Sequence, residues 1–210
     1  MSTVSKLRRL IADQLKAELP SGAVIGREII VLEQTGSTND ATLQVVTPDS
    51  REGLVLFAEH QTAGRGQRGN RWESAAGKGL WFSILLRPQI QIDDSARLTT
   101  WALASIADVI RAEFALEAAI KIPNDVQIRG RKVAGVLVEM RAQEKARHLA
   151  IIGIGVNLNQ SLEDFPSELH SKAISLALAV SGLLDRQKFA VSLLRNLDLA
   201  YRKQFIAAVL

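Results

Sequence analysis

AIKIPNDVQIRGRKVAGVLVEMRAQEKARHLAIIGIGVNLN, residues 119–159, holds three apolar runs of strand length. RGR at 129–131 reads as a hairpin turn between the first two, and EKAR at 144–147 as a second turn. Turns this short join antiparallel neighbours, so the stretch predicts a three-strand meander. A doubly wound parallel sheet is disfavoured.

Upstream, DDSARLTTWALASIADVIRAEF (93–114) opens with acids and repeats apolar residues at helical spacing, which predicts a long helix. GLWFSILLRP (79–88) is a near-continuous apolar run ended by Pro88 and predicts a buried central strand. LVLFAE (54–59) and EIIVLEQ (28–34) predict two more strands, and Ser37 or Thr38 is a plausible N-cap for a short helix through ATLQVV. One amphipathic helix is expected over residues 3–19, with two helical patterns in the tail, 161–210, divided near Ser181 and Gly182. The expected fold class is therefore α+β: a mixed, largely antiparallel sheet with helices packed on one face, in a single domain over residues 1–210.

The 210 residues, 47% hydrophobic, suffice for a sizeable core. No cysteine is present, which excludes disulfides, thiolate catalysis and cysteine-held metals. His60, His148 and His170 are scattered and give no metal-binding spacing. The N-terminus lacks the apolar centre of a signal peptide and no run reaches membrane-spanning length, so a cytoplasmic protein without a membrane partner is expected. Net charge is +4, yet the basic residues are mixed with acids outside one loop. No second helix follows the first before a strand begins, so the common two-helix DNA-binding module is absent.

That loop contains GRGQRG (64–69), which fits G-x-G-x-x-G. The dinucleotide-binding reading fails on context: no apolar helical period follows, and no acid stands about twenty positions beyond to hold a ribose. Between His60 and Gly79 the chain instead sets Arg65, Arg68, Arg71 and Lys78 against Glu73 among glycines, which suggests a mobile, cationic flap for a small anion. Four further segments break local rules. KIPND presents Lys121, Asn124 and Asp125 where Pro123 forbids a ladder hydrogen bond. Lys132 opens the next run, in which Gly135 has no turn to make; Asn157 sits in GIGVNLN, and Ser37, Thr38 and Asn39 crowd TGSTN. Each also has a structural reading: Lys132 as a hairpin lysine, Asp125 as a turn cap, Trp72 as a packed loop aromatic, Ser37 to Asn39 as an N-cap. Together they contain no nucleophile and no histidine base, and they suit holding a nucleoside phosphate beside a carboxylate, with one acid available for Mg²⁺.

The ordered motifs STN, QTAGRGQRGNRW, GLWFSILLRP, KIPND, KVAGVLVE and GIGVNLN resemble those of the biotin protein ligase, or biotin–[acetyl-CoA-carboxylase] ligase, family in its short form without an N-terminal DNA-binding domain. The resemblance implies a class II aminoacyl-tRNA-synthetase-like catalytic domain. It implies ATP, Mg²⁺ and biotin as reactants, biotinyl-5′-AMP as intermediate, and a biotin carrier domain of a biotin-dependent carboxylase as acceptor. It further implies biotin contacts from Ser37, Thr38, Asn39, Gln61, Gly64, Arg65, Gly66, Lys132 and Gly135. Adenylate contacts would come from Arg68, Arg71, Trp72, Lys121, Asn124, Lys132 and Asn157. Lys132, Arg65, Lys121 and Asp125 would form the catalytic set, with Asp125 as magnesium ligand or as base for the amine. A homodimer is common among such relatives, and DNA binding is not expected. The sequence departs from the family where Gln67 replaces the arginine of GRGR and Ile122 the tryptophan of KWPND, which should loosen the grip on the adenylate and shrink a pocket wall. The chain also stops in helix, where a small SH3-like C-terminal domain is common. A lipoate or octanoate ligase or transferase of the same fold, a non-enzymatic biotin or nucleotide sensor, and an RG-loop nucleic-acid binder remain alternatives.

Overall fold

The structure is a computed structural model that describes residues 9–47, 49–143 and 147–206. Seven strands, β1 (Glu28–Thr35), β2 (Leu54–Gln61), β3 (Leu80–Leu86), β4 (Ala118–Lys121), β5 (Asp125–Ile128), β6 (Arg131–Arg141) and β7 (Leu149–Val156), form one sheet in the order β1-β2-β3-β7-β6-β5-β4. Only β1 and β2 pair in parallel; the remaining pairs are antiparallel. The expected α+β class and antiparallel meander are present.

Strand alternation divides the sheet. In β3, Leu80, Phe82, Ile84 and Leu86 enter the main core, where α3 (Ala96–Phe114) contributes Leu98, Trp101 and Ile106, and α5 (Arg186–Tyr201) contributes Phe189, Leu193 and Leu197. Both long helices thus cover one face, as expected. The short α2 (Thr38–Val45) lies against the other, where Leu43 and Val46 pack on Leu54, Leu85 and Ile151.

Three expectations are corrected. The N-terminal helix narrows to α1 (Ala12–Ala17), with residues 9–11 non-helical and residues 3–8 outside the described residues. AIKIPNDVQI is not one strand: Pro123 cannot donate to a ladder, so the chain turns at residues 122–124 and returns, pairing Lys121 with Asp125. The meander therefore has four strands. Residues 144–146 of the second turn lie outside the described residues, whereas the first is a two-residue loop, Arg129 (φ 51°) and Gly130 (φ 73°), the backbone a tight hairpin requires. In the tail, α4 (Leu176–Val180) and α5 flank the expected break, each capped by a side-chain oxygen, from Ser175 and Asp185.

The flap's return leg is fixed from beneath. Arg186 and Glu59, with side chains 1% and 7% exposed, pair at 2.7 Å. Arg186 Nε also donates to the Gly79 carbonyl (3.1 Å), and the Glu59 carboxylate accepts the Leu10 amide (2.8 Å). Lys78 Nζ meets Asp164 at 2.6 Å. Burial opposes ionisation of Asp164, but hydrogen bonds from Lys78 and Ser161 outweigh it and hold the carboxyl below its ordinary range. Between these ties the loop lies over the α2 face of the sheet, where Arg65, Gly66 and Trp72 line a cleft with Thr38 and Asn39.

Candidate active site

The cleft on that face is floored by glycine. Gly135 pairs with Gly155 across β6 and β7, and Gly153 lies two residues along. A Cβ on Gly155 would come within 2.5 Å of the Trp72 indole, one on Gly135 within 2.9 Å of Lys132 Cε, and one on Gly153 within 2.5 Å of Asn39 Oδ1. Each would displace the side chain above it, so glycine is needed here for close approach rather than for turning.

At one end, the strand-to-helix junction presents polar groups in a fixed chain. Gln61 Oε1 accepts from the Thr38 amide (2.8 Å) and from Thr38 Oγ1 (3.1 Å). Ser83 Oγ lies 2.8 Å from Thr38 Oγ1 and 2.6 Å from Asn39 Oδ1, and Asn39 Nδ2 donates to Glu139 Oε2 at 2.5 Å. Thr38 and Asn39 are buried although polar, as hydrogen-bonded groups can be, and Ser37, at the N-cap position of α2, is buried beside them with no side-chain cap bond.

Two cations face the same cleft. Lys132 Nζ sits 2.6 Å from Asp125 Oδ1 and 4.9 Å from the centre of the Trp72 ring. Arg65 reaches in from the flap and pairs with both Asp40 and Glu139. Its hydrogen bond to Asp40, with the charge of Glu139 added, pushes the guanidinium pKa above its ordinary value, so the group is a permanent cation. The flap itself is a narrow hairpin rather than an irregular loop: the Trp72 amide donates to the Gly64 carbonyl (2.9 Å) and the Gly66 amide to that of Asn70 (2.7 Å), with Arg68 left-handed at the tip.

The structure thus gathers Ser37, Thr38, Asn39, Gln61, Arg65, Gly66, Trp72, Asn124, Lys132 and Gly135 around one cleft that is open to solvent. Gly64 is buried beneath the flap, where a Cβ would fall 2.7 Å from the Trp72 carbonyl oxygen. Arg71 and Asn157 line an adjoining hollow that shares Trp72 and Lys132 with the cleft. Lys121 and Arg68 are exposed and line neither. Ile122 does not wall the cleft: it is 72% exposed, beside Pro123 and Gln67 over a separate hollow. Asp125 faces the Lys132 ammonium, and among the described residues no group of three metal-binding side chains comes together. Sequence reasoning passed over Ser83, Glu139 and Asp40. Ser83 was signalled as the lone hydroxyl in an apolar strand, and Glu139 as an acid in phase with Gly135.

The long helices lie to one side of the sheet, with α2, a glycine floor and a cationic flap on the other. The chain belongs to the Biotin/lipoate A/B protein ligase family, whose model matches residues 31–157. Among its relatives, it is 35% identical to the bifunctional ligase/repressor BirA of Bacillus spizizenii over 87% of this chain and 55% of that protein. It is also 35% identical to the biotin–[acetyl-CoA-carboxylase] ligase of Mycobacterium tuberculosis, over 82% of this chain and 63% of that one. The chain thus spans a little over half the length of such relatives. The solved biotin protein ligase of Aquifex aeolicus in complex with biotin and ATP superposes with a TM-score of 0.69 at 28% identity, covering 85% of this chain and 73% of that one. No helix among the described residues is long and apolar enough to cross a membrane.

Proposed function

We propose that this chain is the catalytic unit of an ATP-dependent biotin ligase, acting in the cytoplasm on a lysine of a biotin carrier domain such as that of acetyl-CoA carboxylase. The observation that carries this reading is that one cleft joins a polar end suited to a small heterocycle, with Arg65 tied beside it, to Lys132, whose ammonium suits a carboxylate and a phosphate. Thr38, Asn39 and Gln61 hold the ureido ring, and Ser37 lies beside them. Gly64, Gly66 and Gly135 let the backbone come close. Trp72, Asn124 and Asn157 flank the nucleoside, and Arg71 faces it from the adjoining hollow. Lys121 and Arg68 engage phosphates that project beyond the cleft.

In the first step a biotin carboxylate oxygen attacks the α-phosphorus of ATP, forming the mixed anhydride and expelling pyrophosphate. Both reactants are anionic, so alignment and charge neutralisation by Lys132 and Arg65 are the chief contributions open to the protein. In the second step the carrier amine attacks the acyl carbon, forming the amide and releasing AMP. A free lysine is neutral in only about 1 part in 2,500 at pH 7, so the amine must lose a proton first, and Asp125, paired with the cleft-lining Lys132, is the nearby acid assigned to take it. Among the described residues no cluster of acids or histidines makes a cage for magnesium, which would be held largely by nucleotide oxygens.

The test is pyrophosphate release from MgATP with biotin or with lipoate, followed by labelling of a carrier domain. Biotin-dependent release and labelling are expected, both falling by about 10²–10³-fold in Lys132→Ala. Release with lipoate alone would identify the other branch of the family, and biotin binding without release would leave a sensor.

A further inference from the structure

Glu139 joins two parts of the site that the ligase reading treats separately. It stands on β6 in phase with Gly135 and Leu137 and so faces the cleft. Its Oε2 accepts from Asn39 Nδ2 at 2.5 Å, which fixes the amide whose Oδ1 faces Ser83. The same oxygen lies 3.2 Å from Arg65 Nη2, and Oε1 lies 3.3 Å from it. Arg65 Nη1 is taken by Asp40, the residue after Asn39. The guanidinium is therefore held by two carboxylates, one from α2 and one from β6, while Nε stays free of both. Neither pair is worth much as a surface ion pair, since all three side chains are more than a third exposed. Their effect is geometric: two anchors on different elements define the plane of a planar, forked donor, whereas one allows it to swing.

The geometry points to Glu139 as a positioning residue that couples the ring-binding end of the cleft to the flap. By holding Arg65 in the plane that it defines together with Asp40, it keeps the flap closed over the intermediate, and removing its charge lets the flap open and the adenylate leave. This rests on the ligase reading for the identity of the anion, but the tie between β6 and the flap does not.

Two measurements test it on the full chain. The first is the release rate of biotinyl-adenylate, by chase, for the unaltered chain and Glu139→Gln, each with Arg65 intact and as Arg65→Ala. Glutamine keeps the shape and can still accept from Asn39, but it turns an amide rather than a charge toward Arg65. Release should quicken by about three- to tenfold with Arg65 present and by less than about twofold without it, the coupling expected of groups in contact. The Michaelis constant for biotin should move by less than about twofold, and Glu139→Asp should restore part of the retention. Equal acceleration in both backgrounds would reduce Glu139 to a structural residue, and slower release in Glu139→Gln would make it a competitor of the anion; either result overturns the inference. The second measurement needs no activity: trypsin should cleave after exposed Arg68 in the ligand-free chain faster in Glu139→Gln than in the unaltered chain, and equal rates would overturn the tie. If the unaltered chain releases no pyrophosphate with biotin, the ligase reading falls, and the cleavage rates still decide the role of Glu139.

Discussion

Phe82 and Ser83 are neighbours in β3 and face opposite ways. Phe82 enters a core of large apolar side chains, lying 4.8 Å ring to ring from Phe57, while Ser83 faces a surface cleared by glycines and filled by hydrogen bonds. Both are essentially inaccessible to solvent, so burial alone does not distinguish them. The difference lies in what replaces water. On the core face, close-packed hydrocarbon supplies stability wherever it is placed. On the cleft face each polar atom has a particular partner, and the space above Gly135, Gly153 and Gly155 is kept for side chains that stand over it. One face tolerates apolar side chains that together fill its volume; the other tolerates almost no change in position.

The largest effect that could break this division is in the core. Phe82→Ala should cost about 3–5 kcal/mol of stability, as truncated buried aromatics do, with the biotin Michaelis constant of the molecules that remain folded nearly unchanged. Denaturant unfolding beside substrate kinetics checks it, and a stability loss below about 1 kcal/mol would show that the core face is less tightly packed than its geometry. On the cleft face, Gly155→Ala places a methyl where the Trp72 indole now lies. Because the indole is on the flap side and only half-buried, we expect it to lift, weakening nucleotide binding by about tenfold at a stability cost below about 1 kcal/mol. Calorimetric titration with ATP reads the first quantity. Ser83→Ala should be milder: it removes a hydroxyl shared by Thr38 and Asn39, each of which keeps another partner, Gln61 and Glu139. A rise of about threefold in the biotin Michaelis constant with turnover unchanged is expected for a group that only orients the ring-binding residues.

The two faces also differ in how far they could be read from sequence. The core face announces itself through period: alternate residues of GLWFSILLRP and every third or fourth residue of 96–114 are apolar, and the long helix and central strand follow directly. The cleft face has no period. Its residues arrive from six stretches, α2, the end of β2, the flap, the β4–β5 turn, β6 and β7, and only the resemblance of the ordered motifs to a known family placed Thr38, Gln61, Arg65 and Lys132 in one site. Glu139 and Asp40 escaped notice because a carboxylate in a site for anions has no evident use until Arg65 is seen between them. The split at Pro123 was half legible, since the proline forbade a ladder bond but did not say that the chain would reverse. The parallel pairing of β1 with β2 had no local signal at all, because register between distant strands is settled by the core they share.

A polar group on the core face gives the finest contrast. Tyr201, the single tyrosine of the chain, is 1% exposed, packs on Trp101 and Phe205, and donates to the Glu52 carboxylate at 2.7 Å. Burial, with the charge of Glu52 added, drives its pKa far above the ordinary value of 10.0. The sign follows from which state releases the proton. Above pH 10 the unfolded chain ionises this phenol and the folded chain does not, so the unfolded state binds fewer protons and stability falls as pH rises, by about 1.4 kcal/mol per pH unit from this group. Below pH 10 both states keep the proton and the slope from Tyr201 vanishes. Phenolate absorbance in the folded protein should therefore stay absent until the chain unfolds, and Tyr201→Phe should remove that part of the alkaline slope while losing the bond to Glu52. A phenol that titrates near its ordinary value with the fold intact would mean that Tyr201 is reached by water. The core face would then share the polar, solvent-exchanging character that the structure reserves for the cleft.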